Sequence, residues 1–312
     1  MEFRPLALSD RVKWARLLAD CFNRSPDQME SLFVWLHAGF PLVTMGAWDG
    51  DALVAQYTCR ILELRIPGIA DPVPAGMGLD MAVDPAYRGR GLLERVATPV
   101  YEVIAERGCV AGVGFSSVGG LAVTRASRSY AYEVLGPMVS TVVPVVRPRH
   151  SEPLTLSDTW PSDPITLPEG DGRFVRYAFT PATLRHRFAD HPFRRYVYAT
   201  RKHDGVIDGM VVYRHATLRG IPAAALLGAY GDDLPDLLAR WAAALRASGP
   251  RLVHLVTSPA SPLRGASAAI GHRVVVPFSR DPYHLITRAL QPDTPRILFD
   301  LGRWDCAGGD IL

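Results

Sequence analysis

The stretch of sequence that decides the fold reads Gly78-Leu79-Asp80-Met81-Ala82-Val83-Asp84-Pro85-Ala86-Tyr87-Arg88-Gly89-Arg90-Gly91-Leu92-Leu93-Glu94-Arg95-Val96. An apolar strand predicted over 77–83 ends at Asp84-Pro85, and an amphipathic helix begins after the glycines. The first backbone N–H groups of a helix have no partner within the helix and lie at the positive end of its dipole. Gly89 and Gly91 let the backbone approach a pyrophosphate closely, while Arg88 and Arg90 can add charge-assisted hydrogen bonds. The stretch therefore predicts a binding site for an anion.

The composition around this stretch is that of a compact globular protein. The chain has 312 residues, so we expect two domains or one enlarged domain. Hydrophobic residues make up 48% and charged residues 21%, which argues against disorder. The formal charge of +3 is spread along the chain without a block of like charges, so we expect no nucleic-acid binding.

The four cysteines lie far apart and show neither a C-x-x-C pair nor a Cys/His spacing that suits zinc. They read as reduced thiols, and no metal site is predicted. The first residues lack the zones of a signal peptide, and no apolar run approaches the roughly 20 residues that span a bilayer. We therefore expect a cytoplasmic protein that does not act at a membrane.

The order of predicted elements suggests two similar domains. Residues 1–146 alternate strands and helices, with Asp49-Gly50 marking a hairpin and with Pro99 expected to kink or split the helix after the anion site. Residues 147–173 are rich in Pro, Ser and Asp, which is the composition of a linker. From residue 174 onward the order of strands, one helix and further strands repeats, which predicts a tandem of similar domains.

The deciding stretch resembles the signature of the GNAT superfamily of N-acyltransferases, in which a Val-x-Pro step is followed by Arg/Gln-x-x-Gly-x-Gly/Ala. The match is carried by Val83, Pro85, Arg88 and Gly91, while Leu93 stands where the family usually has Gly or Ala. The resemblance implies an α/β fold with two GNAT-like mixed-sheet domains in tandem. Residues 1–146 would form the catalytic domain that binds acyl-CoA. Residues 174–312 would form a degenerate GNAT-like domain with a C-terminal tail.

The resemblance also implies how the co-substrate, acetyl-CoA or another acyl-CoA, is bound. The pyrophosphate would be held by the loop and first helical turn, which comprise Arg88, Gly89, Arg90, Gly91, Leu92 and Leu93. In the family, a bulged strand before the loop lends backbone groups to the pantetheine arm and to the thioester oxygen. This places Met81, Ala82 and Val83 along the acyl-CoA arm, where their N–H groups would stabilise a developing oxyanion.

Tyr132 is the candidate for protonating the departing sulfur. It begins the segment Tyr132-Glu133-Val134-Leu135-Gly136, which matches the family's Tyr-x-x-Leu-Gly-Phe except that Pro137 replaces the aromatic residue. The resemblance implies that this tyrosine acts as the general acid, and a phenol can do so at its ordinary pKa near 10. Tyr130 is a competing candidate.

A general base is harder to assign from the sequence. Asp80 lies on the predicted central strand and faces opposite to Met81, and we name it first. Asp84, Glu63 and His37 are the other candidates near it in sequence. Many members of the family bind an amine that is already deprotonated or use water, so the assignment of function does not depend on this residue.

The second half carries no equivalent of the glycine-arginine loop. At the corresponding position stands Gly228-Ala229-Tyr230-Gly231-Asp232-Asp233, whose aspartates would repel a pyrophosphate and instead suit a helix N-terminus. We expect this half to have lost CoA binding. It resembles the non-catalytic halves of tandem GNAT proteins such as the enhanced-intracellular-survival acetyltransferases.

The leading hypothesis is an acyl-CoA-dependent N-acyltransferase in which a small-molecule amine attacks the thioester directly in a ternary complex. The acceptor would lie in the cleft between the halves, since ligands commonly bind at domain interfaces. A protein acceptor and assembly into a homo-oligomer are left open. The alternative is a non-catalytic module that binds acyl-CoA or a partner.

Overall fold

The computed structural model describes residues 1–117, 120, 131–146, 152–168, 170, 172–275 and 282–311. The strands are β1 (Glu2–Arg4), β2 (Leu42–Asp49), β3 (Ala52–Arg65), β4 (Val73–Val83), β5 (Ala111–Ser116), β6 (Glu133–Pro137), β7 (Val139–Pro144), β8 (Thr155–Ser157), β9 (Arg176–Tyr177), β10 (Val197–His203), β11 (Val206–Leu218), β12 (Ile221–Gly231), β13 (Leu252–Thr257), β14 (Val274–Val275) and β15 (His284–Ala289). The helices are α1 (Arg11–Phe22), α2 (Pro26–Gly39), α3 (Leu92–Glu106), α4 (Pro181–Phe188), α5 (Leu234–Ser248) and α6 (Pro262–Ala266). These elements form two mixed sheets with helices packed against them.

The first sheet has the strand order β1-β2-β3-β4-β5-β15-β6, and β9 adds to the end of β3. β4 and β5 run parallel, and the other neighbours are antiparallel. Apolar residues at helical spacing bury one face of α1 and α2 against the sheet, with Trp14, Leu18 and Phe33 in that core. α3 covers the opposite face with a separate core that includes Val96 and Val100.

The second sheet has the order β14-β7-β13-β12-β11-β10-β8. β12 and β13 run parallel, as β4 and β5 do in the first sheet. α5 packs on one face through Trp241 and Leu245, both fully buried. The repeated arrangement confirms the predicted α/β fold with two mixed-sheet bodies in tandem.

The two sheets exchange strands. A single residue, Met138, separates β6 in the first sheet from β7 in the second, and β15 returns from the second half to lie between β5 and β6. The sheets therefore do not divide at the predicted linker over 147–173. Residues 139–146, which the sequence analysis places in the first domain, contain β7 of the second sheet. Alternating apolar residues indicate that a strand forms and which face is buried, but they do not indicate which sheet the strand joins.

The C-terminal tail links the halves further. Leu298, Trp304 and Cys306 are fully buried in the core beneath α1 and α2, and the Trp304 indole donates to the carbonyl of Leu298 at 3.1 Å. α2 also contacts α4, because the Trp35 indole donates to the carbonyl of His186 at 3.0 Å and their rings stack. The halves are interlocked by strands, by a shared core and by this helix contact.

Of the two effects predicted for Pro99, a split of α3 does not occur. One uninterrupted helix runs from Leu92 to Glu106, so the proline does not split it. Proline removes one backbone donor, and the Thr98 hydroxyl supplies a local bond by donating to the carbonyl of Glu94 at 3.0 Å. Val96, Val100 and the other apolar residues of α3 remain in register with the sheet.

The exchange predicts that β15 stabilises the first half. Leu285 is fully buried on β15, opposite Phe115 of β5, so Leu285→Ala should lower the free energy of unfolding by about 2–5 kcal/mol. Leu8→Ala makes the same change at a residue that is 50% exposed and should cost less than about 1 kcal/mol. Denaturant unfolding measures both, and equal values for the two variants would contradict the importance of the exchanged strand.

Candidate active site

A wedge opens in the first sheet between β4 and β5. The two strands are paired only at Gly76 with Gly112 and at Met77 with Val113. β4 then continues to Val83 while β5 pairs on its other side with β15. Strands that part in this way leave backbone N–H and C=O groups without a neighbouring strand, which an extended ligand can use.

A β-bulge interrupts β4 beside this wedge. Asp80 and Met81 together lie opposite the single residue Tyr57, and the Gln56 side-chain amide donates to the carbonyl of Asp80. Asp80 has φ +35°, a conformation that costs most residues about 1–2 kcal/mol and that Asp tolerates better than most. A bulge re-aims the backbone and side chains next to it, and this one lies in the strand where the GNAT resemblance implies a bulge.

The glycine-arginine loop follows at the end of β4. Gly89 and Gly91 adopt left-handed φ angles of +76° and +66°, and nothing lies within 4 Å of where a Cβ would stand at either residue. α3 begins directly afterwards at Leu92, so its first N–H groups open onto this space. The loop is therefore an exposed cradle at the positive end of a helix dipole, and it fits a pyrophosphate.

The loop arginines are exposed and contact only nearby groups of the protein. Arg88 donates through Nε to the carbonyl of Val83 at 3.3 Å, and Arg90 donates to the carbonyl of Ala86 at 3.2 Å. The Arg90 guanidinium also lies 4.7 Å over the Tyr87 ring. Because each guanidinium has five N–H donors, both can still bind an anion.

Leu92 and Leu93 lie in the first turn of α3. Leu92 is buried, and Leu93 is half-buried against the core between α3 and the sheet. The departure from Gly or Ala at residue 93 therefore adds apolar packing beneath the helix. Met81 and Val83 also contact this core.

Tyr132 belongs to a cluster of three phenols beneath the wedge. Its hydroxyl hydrogen-bonds with those of Tyr57 and Tyr101, and Tyr101 donates to Tyr57 at 3.1 Å. A Cβ added to Gly112 would stand 2.7 Å from the Tyr132 hydroxyl oxygen, so this oxygen lies directly against Gly112. Burial raises the pKa of Tyr132 to about 12. Tyr130 lies outside the described residues.

The sequence pattern does not single out the partners of Tyr132, because they come from distant elements. Tyr57 lies on β3 and Tyr101 on α3, and the guanidinium of Arg288 on β15 lies 4.2 Å over the Tyr101 ring. Only the strand exchange brings Arg288 to this cluster.

Among the four candidate bases, Asp80 lies in the bulge itself. Burial raises the pKa of Asp80, while Arg24 and Arg194 act in the opposite direction. The other three have different surroundings: Asp84 caps the turn before the loop by accepting from the Ala86 N–H at 2.8 Å, Glu63 is exposed on β3, and His37 packs 4.2 Å from Phe33 on α2.

The second sheet has a corresponding wedge, and the C-terminal tail fills it. β12 and β13 pair from Ala223 to Leu226 and then part. The Gly309 N–H donates to the carbonyl of Leu227 at 2.7 Å, and Ala307 bridges Thr257. A Cβ on Gly309 would stand 2.7 Å from that same carbonyl, so the tail fits closely against β12.

One aspartate of the second half, Asp233, has the predicted helix-capping role. Asp233 caps α5 by accepting from the Asp236 N–H at 3.0 Å. A cavity of about 480 Å³ lies beside this turn and the tail. Asp310 lines it, and burial raises the pKa of that carboxyl to about 7. Arg65 of β3 and Tyr177 of β9 also line this cavity, so it lies between the two sheets, and no residue of the glycine-arginine loop lines it.

The comparison with known families agrees with this geometry. The sequence model of the family described as "Acetyltransferase (GNAT) domain" matches residues 2–126. The matched residues lie in the first half of the chain, which is therefore similar to a GNAT acetyltransferase domain. The match covers the wedge, the bulge and the loop, and it supports N-acetyltransferase chemistry for this half. Among curated proteins, none matches the chain in sequence.

Solved structures share the fold over nearly the whole chain. A probable N-acyltransferase from Enterococcus faecalis has a TM-score of 0.69 at 13% identity, covering 94% of this chain and 73% of its own. Saccharomyces cerevisiae N-myristoyltransferase with bound myristoyl-CoA has a TM-score of 0.56 at 11% identity, covering 97% and 87%. A tandem GNAT protein from the clavulanic acid biosynthesis pathway has a TM-score of 0.52 at 17% identity, covering 94% and 99%. At these identities the likeness concerns the fold, which is the tandem GNAT fold predicted from the sequence.

Neither a membrane-spanning helix nor a metal-binding cluster of side chains is found among the residues that the structure describes. No helix there has the length and apolar character needed to cross a membrane. No group of three or more His, Cys, Asp or Glu residues there could hold a metal ion.

The loop geometry predicts which arginines matter for acyl-CoA affinity. Arg88→Ala and Arg90→Ala should each weaken acyl-CoA binding by about 1.5–3 kcal/mol, because each removes charge-assisted hydrogen bonds to the pyrophosphate. Arg107→Ala removes the same charge at the opposite end of α3 and should leave the affinity unchanged. Calorimetric titration with acetyl-CoA tests this, and equal affinities for all three variants would remove the loop from the binding site.

Proposed function

We propose that the protein is an acyl-CoA-dependent N-acyltransferase that transfers an acyl group, acetyl in the first instance, directly to the amine of a small molecule. The observation that carries this proposal is the continuity of the site. The wedge between β4 and β5, the bulge at Asp80 and the glycine-arginine loop follow one another along a single strand and its turn. Acyl-CoA supplies the acyl group as an activated thioester.

The backbone of this chain would bind and orient the co-substrate. The loop from Arg88 to Leu93 would hold the pyrophosphate through N–H groups and guanidinium groups. Met81, Ala82 and Val83 would lie along the pantetheine arm, with N–H groups donating to the thioester oxygen. N–H groups that are already fixed in a bulged strand need no reorganisation as negative charge develops on that oxygen.

Asp80 would take the proton from the acceptor amine. Burial raises the pKa of its carboxyl, which makes the carboxylate a stronger base than an exposed aspartate. The nearby charges of Arg24 and Arg194 favour the carboxylate form and so keep it available to accept the proton. Its position in the bulge puts this carboxylate next to the backbone groups proposed to contact the thioester.

Tyr132 would return a proton to the departing sulfur. Its hydroxyl lies against Gly112, where the wedge begins, and it hydrogen-bonds with Tyr57 and Tyr101. A network of phenols can hold the proton at the Tyr132 oxygen and orient it. The high pKa keeps the hydroxyl protonated at neutral pH.

We propose further that only the first half binds acyl-CoA and that the second half shapes the acceptor cleft. The tail occupies the second wedge, and Asp232 and Asp233 at its turn carry the charge of the wrong sign for a pyrophosphate. The segment after α4 brings Arg194 close enough to Asp80 to affect its titration, which connects the second half to the proposed reaction centre.

The test of the overall proposal is acyl-CoA turnover. The 312-residue chain is incubated with acetyl-CoA and a broad panel of amines, and release of the CoA thiol is followed with a thiol reagent. We expect release that depends on the amine and yields the N-acetyl product by mass spectrometry. Binding of acetyl-CoA with release at background for every amine would instead indicate a non-catalytic binding module.

Asp80→Asn tests the proposed base. The wild-type rate should fall as the pH is lowered through the raised pKa of Asp80, because the protonated carboxyl cannot accept a proton. The variant should lose about 10²–10⁴ in kcat and lose this acidic limb, while acetyl-CoA affinity is kept. Glu63→Gln changes an exposed carboxylate on the neighbouring strand and should behave as wild type. An active Asp80→Asn enzyme with an unchanged pH profile would mean that the amine arrives already deprotonated.

Tyr132→Phe tests the proposed acid. The change keeps the ring and removes only the hydroxyl, so kcat should fall by about 10²–10⁴ while acetyl-CoA affinity stays close to wild type. Tyr101→Phe removes a hydroxyl from the same cluster and serves as the control for altered packing and hydrogen bonding. Steady-state kinetics on both variants and on Tyr130→Phe decide the matter. Loss of activity in Tyr130→Phe with full activity in Tyr132→Phe would assign the role to the other tyrosine.

A further inference from the structure

A second cavity lies between the halves, on the face of the second sheet opposite α5. It has a volume of about 250 Å³, which corresponds to about eight water molecules at roughly 30 Å³ each and is enough for a small molecule. Its walls are formed by β12, by the tail at Gly308 and Gly309, and by Phe188 and Tyr196 on either side of the segment after α4. The cavity therefore combines an apolar aromatic wall with a backbone floor.

Basic side chains line this cavity. Arg187, Arg194, Arg214 and His254 contribute to its wall, and no Asp or Glu among the described residues does so. The basic groups come from four separate elements, so the concentration of charge is a product of the tertiary structure. A cavity lined by one sign of charge attracts ligands of the opposite sign.

Two of these groups already have partners. Arg187 is buried and donates to the carbonyls of Gly309 and Ile311, so it holds the tail in place. His254 shares a hydrogen bond of 2.8 Å with the hydroxyl of Ser140, and burial lowers its pKa, which favours the neutral ring.

The guanidinium groups of Arg194 and Arg214 are different. Neither makes a hydrogen bond or ion pair with a side chain or backbone group of the described residues. Arg194 is half-buried and Arg214 is exposed along the same cavity. Planar guanidinium groups bind carboxylate and phosphate through paired, charge-assisted hydrogen bonds.

We propose that this cavity binds the acceptor through an anionic group, so that the acceptors are small amines that also carry a carboxylate or a phosphate. This inference rests on the proposed function. Arg194 lines the cavity, and its charge also lowers the pKa of Asp80, so the anion site lies within electrostatic reach of the proposed base. An anion held by Arg194 and Arg214 would leave the amine of the same molecule directed toward Asp80.

The experiment compares matched pairs of amines on the 312-residue chain. The first pair is phenylalanine and phenylalaninamide, which differ in the carboxylate and suit the aromatic wall. The second pair is O-phosphoethanolamine and ethanolamine, which differ in the phosphate. Equilibrium binding is measured by calorimetry with CoA present, and turnover is measured by CoA release with acetyl-CoA.

We expect the anionic member of at least one pair to bind about tenfold to a hundredfold more tightly than its neutral partner. The variant Arg194→Gln/Arg214→Gln should remove this preference while acetyl-CoA affinity and thermal unfolding remain as in wild type. Arg195→Gln is the matched control, because it removes one positive charge from the adjacent exposed residue, which does not line the cavity. The pair that shows the preference distinguishes a carboxylate from a phosphate.

The outcomes separate this inference from the proposed function. Turnover of neutral and anionic amines with equal efficiency, or an anion preference that survives in the double variant, would overturn the inference and leave acyl transfer intact. A preference for the anionic member in binding without any CoA release would support the anion site while counting against acyl transfer to these amines. Absence of any anion preference in both binding and turnover would overturn the inference.

Discussion

The parting of β4 from β5 is the constraint on which the candidate site depends. The two strands pair at two positions only, while β5 pairs along its other edge with β15. The bulge at Asp80 and the glycine-arginine loop both lie on the strand that is freed in this way. Because an unpaired strand edge exposes backbone donors and acceptors, the site needs few specialised side chains to bind an extended ligand.

The same opening exists twice and is used differently in the two halves. In the first sheet it faces the loop at Gly89 and Gly91, whose left-handed backbone leaves space around it. In the second sheet the tail at Gly309 occupies the opening and hydrogen-bonds to β12. The tail reaches that position from the core of the first half, where Trp304 is buried. Duplication of a fold therefore provides a second opening whose edge is satisfied by the chain itself.

The strand exchange places groups from both halves around one centre. β15 brings Arg288 to the phenol cluster of Tyr57, Tyr101 and Tyr132. The segment after α4 brings Arg194 to the surroundings of Asp80. An interlocked arrangement of this kind resists relative movement of the halves, because each sheet would lose an inner strand if they separated.

The sequence by itself determined the local features. The strand, turn and helix over residues 78–96, the bulged strand implied by the family resemblance and the repeated order of elements all depend on local residue pattern and backbone chemistry. Only the tertiary structure decided which sheet receives β7 and β15, how the tail fills the second opening and which arginines line the cavity between the halves. The physical reason is that alternation and periodicity report which face of an element is buried, whereas strand partners and converging charges depend on residues that lie far apart in sequence.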